Sequence, residues 1–118
     1  MVVRAVEARD RRPPKRNGQV ANLHIALQDG FDDDTVEVRI DGRTVYRRVG
    51  VTTLTQISRA DAFDVEVDGP ANVEISLPGR NVSTVVSVPE RPAGTYLGVS
   101  VLRDALVHRL SEEPFGYA

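Results

Sequence analysis

Four aspartates in the segment 29–34 are the most unusual local feature of this 118-residue chain, and they could bind a metal ion. Hard cations such as Ca²⁺ take about six to eight oxygen ligands, and carboxylates are prominent among them. The spacing departs from the EF-hand pattern, which needs carboxylates at alternating positions before its glycine. Turns also favour aspartate, because its side chain bonds nearby backbone groups. The segment is therefore predicted to be either a solvated turn or a Ca²⁺ site whose ligands would be Asp29, Asp32, Asp33 and Asp34.

Residue sets typical of catalysis are missing from the sequence. It contains no Cys, which removes disulfides, thiolate nucleophiles and Cys-based zinc sites. It also has no Gly-x-Ser-x-Gly elbow and no glycine-rich phosphate loop. His24 and His108 are too few for the usual catalytic zinc site; we expect His24 on the polar face of a strand and His108 pointing partly inward. The chain is predicted not to be an enzyme and to need no cofactor apart from the Ca²⁺ considered above.

Aromatic residues are concentrated near the C-terminus. Phe115 and Tyr117 lie within the last four residues, and in an extended chain both would point the same way. Frayed tails are usually polar, so this one is predicted to dock, either on its own domain or on a neighbouring subunit or partner. Tyr46 is expected on the polar face of another strand. Phe115, Tyr117 and Tyr46 are therefore the predicted partner-binding residues.

Composition and charge indicate one small domain with 41% hydrophobic and 27% charged residues. Residues 1–19 hold six of the fifteen basic groups and two of the seventeen acidic ones, so a net charge of −2 conceals +4 in this arm and −6 in the remainder. A nucleic-acid-binding fold would carry its basic patch on the folded body, so no nucleic-acid partner is expected. No apolar run approaches the roughly 20 residues that span a bilayer, so no membrane contact is expected either. The chain as given predicts a cytoplasmic protein, and the alternative is a secreted one from which a signal peptide has been removed.

A period of two in hydrophobicity runs through residues 20–110 and predicts a series of strands. Asp41-Gly42, between two alternating runs, predicts a type I′ hairpin turn that sets Val38 opposite Val45. No stretch of the chain shows a convincing helical period.

The Thr-rich run 52–58 is less regular than its neighbours, and it is predicted to be either an edge strand or an extended connection. Turn signals elsewhere recur at the spacing expected of a sandwich or a barrel. About eight strands with one apolar face each can bury those faces by packing two antiparallel sheets, and a closed barrel is the alternative.

The alternating strands, the Asp-Gly hairpin and the Greek-key-like spacing resemble the immunoglobulin-like and transthyretin-like superfolds. The resemblance implies an all-β, single-domain antiparallel sandwich. The alternation places this domain at residues 20–110, between a basic N-terminal arm or linker (1–19) and an aromatic C-terminal tail (111–118). It assigns no function, because such folds host many unrelated ones.

The predicted function is a non-catalytic binding or assembly module that acts through protein–protein contacts, either with a protein partner or by self-association. The alternative is a Ca²⁺-dependent or carbohydrate-binding accessory domain that uses the Asp29–Asp34 loop. The absence of Trp counts against the stacking of sugar rings.

Overall fold

The computed structural model describes residues 20–90 and 94–115, and strands account for most of them. The only helical element in these residues is one turn of 3₁₀ helix, Pro78–Arg80, and none there is long and apolar enough to cross a membrane. The strands in chain order are β1 (Val20–Leu27), β2 (Asp34–Ile40), β3 (Arg43–Val51), β4 (Asp61–Asp68), β5 (Ala71–Leu77), β6 (Val82–Val88), β7 (Thr95–Leu102) and β8 (Ala105–Ser111).

The strands form two four-stranded sheets. The first sheet has the order β4-β1-β7-β8 and the second β3-β2-β5-β6. All neighbours are antiparallel except β1 and β7, which run parallel with Ile25 beside Leu97. The prediction of an all-β sandwich of about eight strands is thus confirmed.

Alternation along most of the strands provides the core between the sheets. In β5, for example, Val73, Ile75 and Leu77 are fully buried, whereas the intervening residues are more exposed. Successive side chains of a strand point to opposite faces, so a period of two places every second residue in the core. The fully buried set also includes Leu23, Leu27, Val36, Val38, Leu97 and Val99.

The Asp41-Gly42 turn is confirmed, but the predicted pairing beyond it is wrong. Both residues have positive φ, 49° and 85°, as a type I′ turn requires. The register then shifts, so that Val38 lies opposite Tyr46 and Val45 is the extra residue of a β-bulge. A bulge changes which face of the strand each later side chain takes, and this alters the position of Tyr46.

The run 52–58 is a connection and not an edge strand. It is made largely of turns, with a single bridge between Leu54 and Arg59. The predicted basic arm (1–19) lies outside the described residues, as does the end of the predicted aromatic tail (116–118).

Replacing Gly42 by Ala is expected to lower the free energy of unfolding by about 1–2 kcal/mol, because only glycine adopts this φ without a steric penalty. Gly79→Ala is the matched control. A Cβ atom at either glycine meets no atom within 4 Å, but only Gly42 has positive φ. Urea denaturation of both variants measures the difference. Equal stabilities would contradict the assigned turn type.

Candidate binding surface

The acidic loop between β1 and β2 is held against the end of the sandwich. Phe31 is 3% exposed and anchors the loop in the core, and its backbone N–H donates to Thr53 Oγ1 at 3.0 Å. Gly30 has φ +88°, and a Cβ atom there would lie 2.0 Å from the carbonyl oxygen of Val101. The loop therefore packs so closely on β7 that glycine is required at this point.

Asp34 is the one loop carboxylate that is buried, and Arg80 binds both of its oxygens. Arg80 Nε donates to Oδ1 at 2.8 Å and Nη2 donates to Oδ2 at 2.9 Å. The backbone N–H of Asp32 also donates to Oδ2, at 2.9 Å. Arg80 Nη1 then reaches Asp104 Oδ1 at 2.9 Å, which ties the β7–β8 turn to the same network.

Burial alone would raise the pKa of Asp34. The hydrogen bonds from Arg80 and the Asp32 backbone, together with the positive charge of Arg80, outweigh that effect and lower the pKa below its ordinary value. Asp34 is therefore an ion-paired residue that links three segments at this end of the domain.

The other predicted metal ligands, Asp29, Asp32 and Asp33, are exposed. Within residues 20–90 and 94–115, no group of three or more His, Cys, Asp or Glu side chains is arranged to share a metal ion. The Ca²⁺ site stays a prediction, and in this structure the carboxylate of Asp34 is already occupied by Arg80.

We expect Asp34→Asn to lower stability at neutral pH by about 1–3 kcal/mol, because it removes the charge from a buried, hydrogen-bonded pair. A carboxylate whose pKa is lower in the folded than in the unfolded chain stabilises the fold above its ordinary pKa. That contribution to stability is lost as the pH falls through the pKa that the carboxylate has in the folded chain. The variant should therefore show a flatter loss of stability than the wild type on acidification below about pH 4.

Asp33→Asn is the control for this substitution. Asp33 is exposed with φ 54°, a conformation that Asn also tolerates. Thermal unfolding of both variants across the acid range is the measurement. Identical pH profiles for the two variants would contradict the role assigned to Asp34.

Tyr46 lies on the inner side of the second sheet, so its expected position on a polar strand face is wrong. Its ring stacks on Phe63 of β4 with centroids 4.2 Å apart, and its hydroxyl donates to Asp61 Oδ2 at 2.7 Å. Arg48 Nη1 donates to the same oxygen at 2.9 Å. Burial and the neighbouring carboxylate raise the pKa of Tyr46. The bulge at Val45 is the cause, because it turns Tyr46 towards the open side of the sandwich, where β3 faces β4.

The outer face of the first sheet carries a row of stacked side chains that runs across neighbouring strands; we call it the outer-face row. His24 of β1 stacks on Tyr96 of β7 with centroids 4.4 Å apart, and its Nδ1 atom pairs with Asp64 of β4. Tyr96 meets the edge of Phe115 at 6.4 Å. The guanidinium of Arg109, on β8, lies 4.5 Å from the centroid of Phe115.

The segment after β8 turns back towards the first sheet. Ser111 Oγ donates to the carbonyl oxygen of Glu113 at 2.8 Å and accepts from the Glu113 N–H at 3.0 Å. This turn directs Phe115 onto Tyr96, so Phe115 is half-buried on its own domain. Tyr117 lies outside the described residues.

The two histidines differ in what surrounds them. The side chain of His24 is 29% exposed and lies on the outer face, as expected from the alternation. His108 is exposed, although it lies opposite buried Val99. His108 therefore takes the expected inward-facing side of β8, but because β8 is the last strand of its sheet, nothing in the described part of the chain covers it.

The outer-face row includes three residues that the sequence did not single out: Asp64, Tyr96 and Arg109. Their assignment to outward-facing strand positions could have been predicted from the alternation. Their proximity could not, because residues 24 and 96 meet only through the parallel pairing of β1 with β7.

Comparisons with known proteins assign no family to this chain. No family model and no curated protein matches it. Among solved structures, it is similar to an NMR structure of a protein from Eubacterium rectale, with 10% sequence identity and a TM-score of 0.47. That similarity covers 80% of this chain and 93% of the other, and no statement about function follows from it.

Phe115→Ala is expected to lower the free energy of unfolding by about 1 kcal/mol, because a half-buried ring loses its contacts with Tyr96 and Arg109. The loss should be the same at every protein concentration, and deletion of residues 114–118 should reproduce it. Leu102→Ala, at a side chain that is 59% exposed, is the control and should change stability by less than about 0.5 kcal/mol. Chemical denaturation measures the free energy of unfolding, and light scattering measures the oligomeric state. A changed oligomeric state without a loss of stability would show that the tail packs on a neighbouring subunit.

Proposed function

We propose that this chain is a non-catalytic binding or assembly module that acts through protein–protein contacts, and that the outer-face row is its contact surface. The observation that carries the proposal is the stacking of His24, Tyr96 and Phe115 beside Arg109, on a sheet face that no other described strand covers. Tyr and Arg are among the residue types that dominate binding energy at protein interfaces.

The outer-face row is held in place before any partner binds. Asp64 pairs with His24, and both His24 and Phe115 contact Tyr96. Side chains that are already immobilised lose little conformational entropy on association, so more of the contact energy contributes to affinity. Such pre-organisation supports a binding surface more than a solvated face would.

The charge of the outer face changes sign from one edge of the first sheet to the other. At one edge, β4 exposes Asp64, Glu66 and Asp68, whereas Arg109 is exposed on β8 at the other. A matching partner is a protein surface with an apolar centre, basic groups opposite β4 and acidic groups opposite β8. This arrangement would orient the partner as well as attract it.

The residues of the outer-face row give little support for a catalytic function. His24 with Asp64 has the form of a base and the group that orients it, but a nucleophile within reach would also be needed. The ring face of His24 is occupied by Tyr96. For the Ca²⁺-dependent or carbohydrate-binding alternative, no specific observation in the described residues favours a bound ion or sugar.

Within the β-sandwich class, we propose the transthyretin-like arrangement in preference to the immunoglobulin-like one. Constant-type immunoglobulin domains have sheets of four and three strands, with the first and second strands in the same sheet. Here both sheets have four strands, and β1 and β2 lie in different sheets.

The contact surface can be tested with a photo-crosslinking amino acid placed at Val107 in the cells that make the protein. Val107 lies opposite Ser100 on β8, two residues from Arg109, and is 42% exposed. We expect one discrete product with a second protein, which should disappear when Arg109→Glu is added. The matched control is the same substitution at Val49, which is 69% exposed on β3 and should give no such product.

Three results of this experiment would contradict the proposed surface. These are the absence of a product from position 107, the same products from positions 107 and 49, and a product of twice the mass of this chain. The last result would indicate self-association in place of a separate partner.

A further inference from the structure

Four strands of the sandwich form the edges of its two sheets: β4 and β8 in the first sheet, and β3 and β6 in the second. An edge strand directs the N–H and C=O groups of alternate residues away from its sheet, where another strand can bind them. Proteins usually protect such edges with charged side chains, bulges or covering segments. The four edges of this domain differ sharply in that protection.

Three of the edges carry charge. The β3 edge has two register irregularities and exposes Arg43, Arg47 and Arg48. The β4 edge carries acidic residues at Asp61, Asp64, Glu66 and Asp68. The β8 edge carries the exposed pair His108 and Arg109.

Within residues 20–90 and 94–115, the β6 edge has none of these devices. No charged residue occurs from Asn81 to Pro89, and all seven residues of β6 pair with β5 in one unbroken register. Val85, at the centre of the strand, has a 61% exposed side chain. An uncharged strand without a bulge and rich in β-branched residues is well suited to accept another strand.

We propose that β6 pairs with β6 of a second copy of this chain, antiparallel and centred on Val85, so that the second sheets of two protomers form one continuous eight-stranded sheet. In that register Val85 faces its own copy, Ser83 faces Ser87, and Val82 faces Val88. Residues directly opposite each other share a sheet face, so the register keeps inner residues with inner ones and outer residues with outer ones. Paired β-branched residues stabilise such a ladder.

Charge and burial both favour a second copy as the occupant. Pairing of β3 or β4 with its own copy would bring arginines or carboxylates together, whereas β6 would oppose no charges. The side of the sandwich where β6 contacts β8 also leaves Val82, Leu106 and Leu110 only half-buried. A second protomer at this edge would cover these three apolar side chains.

This inference deepens the assembly part of the proposed function, but it concerns the opposite sheet from the outer-face row. Substitutions in β6 should leave crosslinking from Val107 to a separate protein unchanged. The two proposals can therefore fail independently.

The test uses charged substitutions at Ser83 and Ser87, which face each other only between copies. Ser83→Lys with Ser87→Lys, or both changed to Glu, places like charges opposite each other across the dimer. Ser83→Lys with Ser87→Glu places opposite charges there and is the matched control. All three double variants lose the hydrogen bond from Ser87 to Asn72, so this loss cannot distinguish them.

Analytical ultracentrifugation of the full chain, with circular dichroism to verify folding, gives the readout. We expect the wild type and the Lys/Glu variant to form dimers and both like-charge variants to sediment as folded monomers. A wild type that stays monomeric at millimolar concentration overturns the proposal, as does a Lys/Lys variant that remains dimeric. A monomeric Lys/Glu variant overturns the register centred on Val85. Binding of an unrelated extended peptide to a monomeric wild type would assign the edge to a different occupant.

Discussion

The pairing of β1 with strands on both sides is the constraint on which the first sheet depends. β1 hydrogen-bonds antiparallel to β4 and parallel to β7, so one central strand joins segments that are about forty and seventy residues away along the chain. Its inward residues, Leu23, Ile25 and Leu27, are each at most 1% exposed. Slipping this strand by one residue would exchange its buried and exposed faces, so the core fixes the register. That register in turn places His24 between Asp64 and Tyr96.

One end and one side of the sandwich are closed by different kinds of contact. At the end that carries the β1–β2 loop, Arg80 joins Asp34 and Asp104 through charge-assisted hydrogen bonds, which are stronger than neutral ones. Along the side where β3 faces β4, the stacked rings of Tyr46 and Phe63 contact each other across the two sheets. Both arrangements use residues of types that are common at binding sites. In each case the contacts that these residues make within the domain explain their positions, without a ligand or a partner.

Two other surfaces lack such internal contacts within the described residues, and these are the surfaces that the two proposals use. The outer face of the first sheet carries an organised row of aromatic and charged groups, and the β6 edge of the second sheet carries neither charge nor bulge. The first surface suits a partner with its own pattern of charge, because it combines aromatic area with opposite charges at its two edges. The second suits an identical strand, because nothing in its sequence repels its own copy. A module with both surfaces could assemble with itself while binding another protein.

Local sequence patterns were enough to predict the strand content, the inward face of most strands and the Asp41-Gly42 turn. These features depend on local rules, namely the period of two and the positive φ that a type I′ turn needs. The sequence also singled out Phe115, which lies in the outer-face row. The positions of the other candidate residues depend on contacts between segments that are distant along the chain. The bulge that moved Tyr46 inward depends on how β3 pairs with β2, and the burial of Asp34 depends on Arg80, which lies forty-six residues further along the chain. The outer-face row depends on which strands become neighbours. The packing of whole sheets determines which strands become neighbours, and the hydrophobic period within one segment does not specify them.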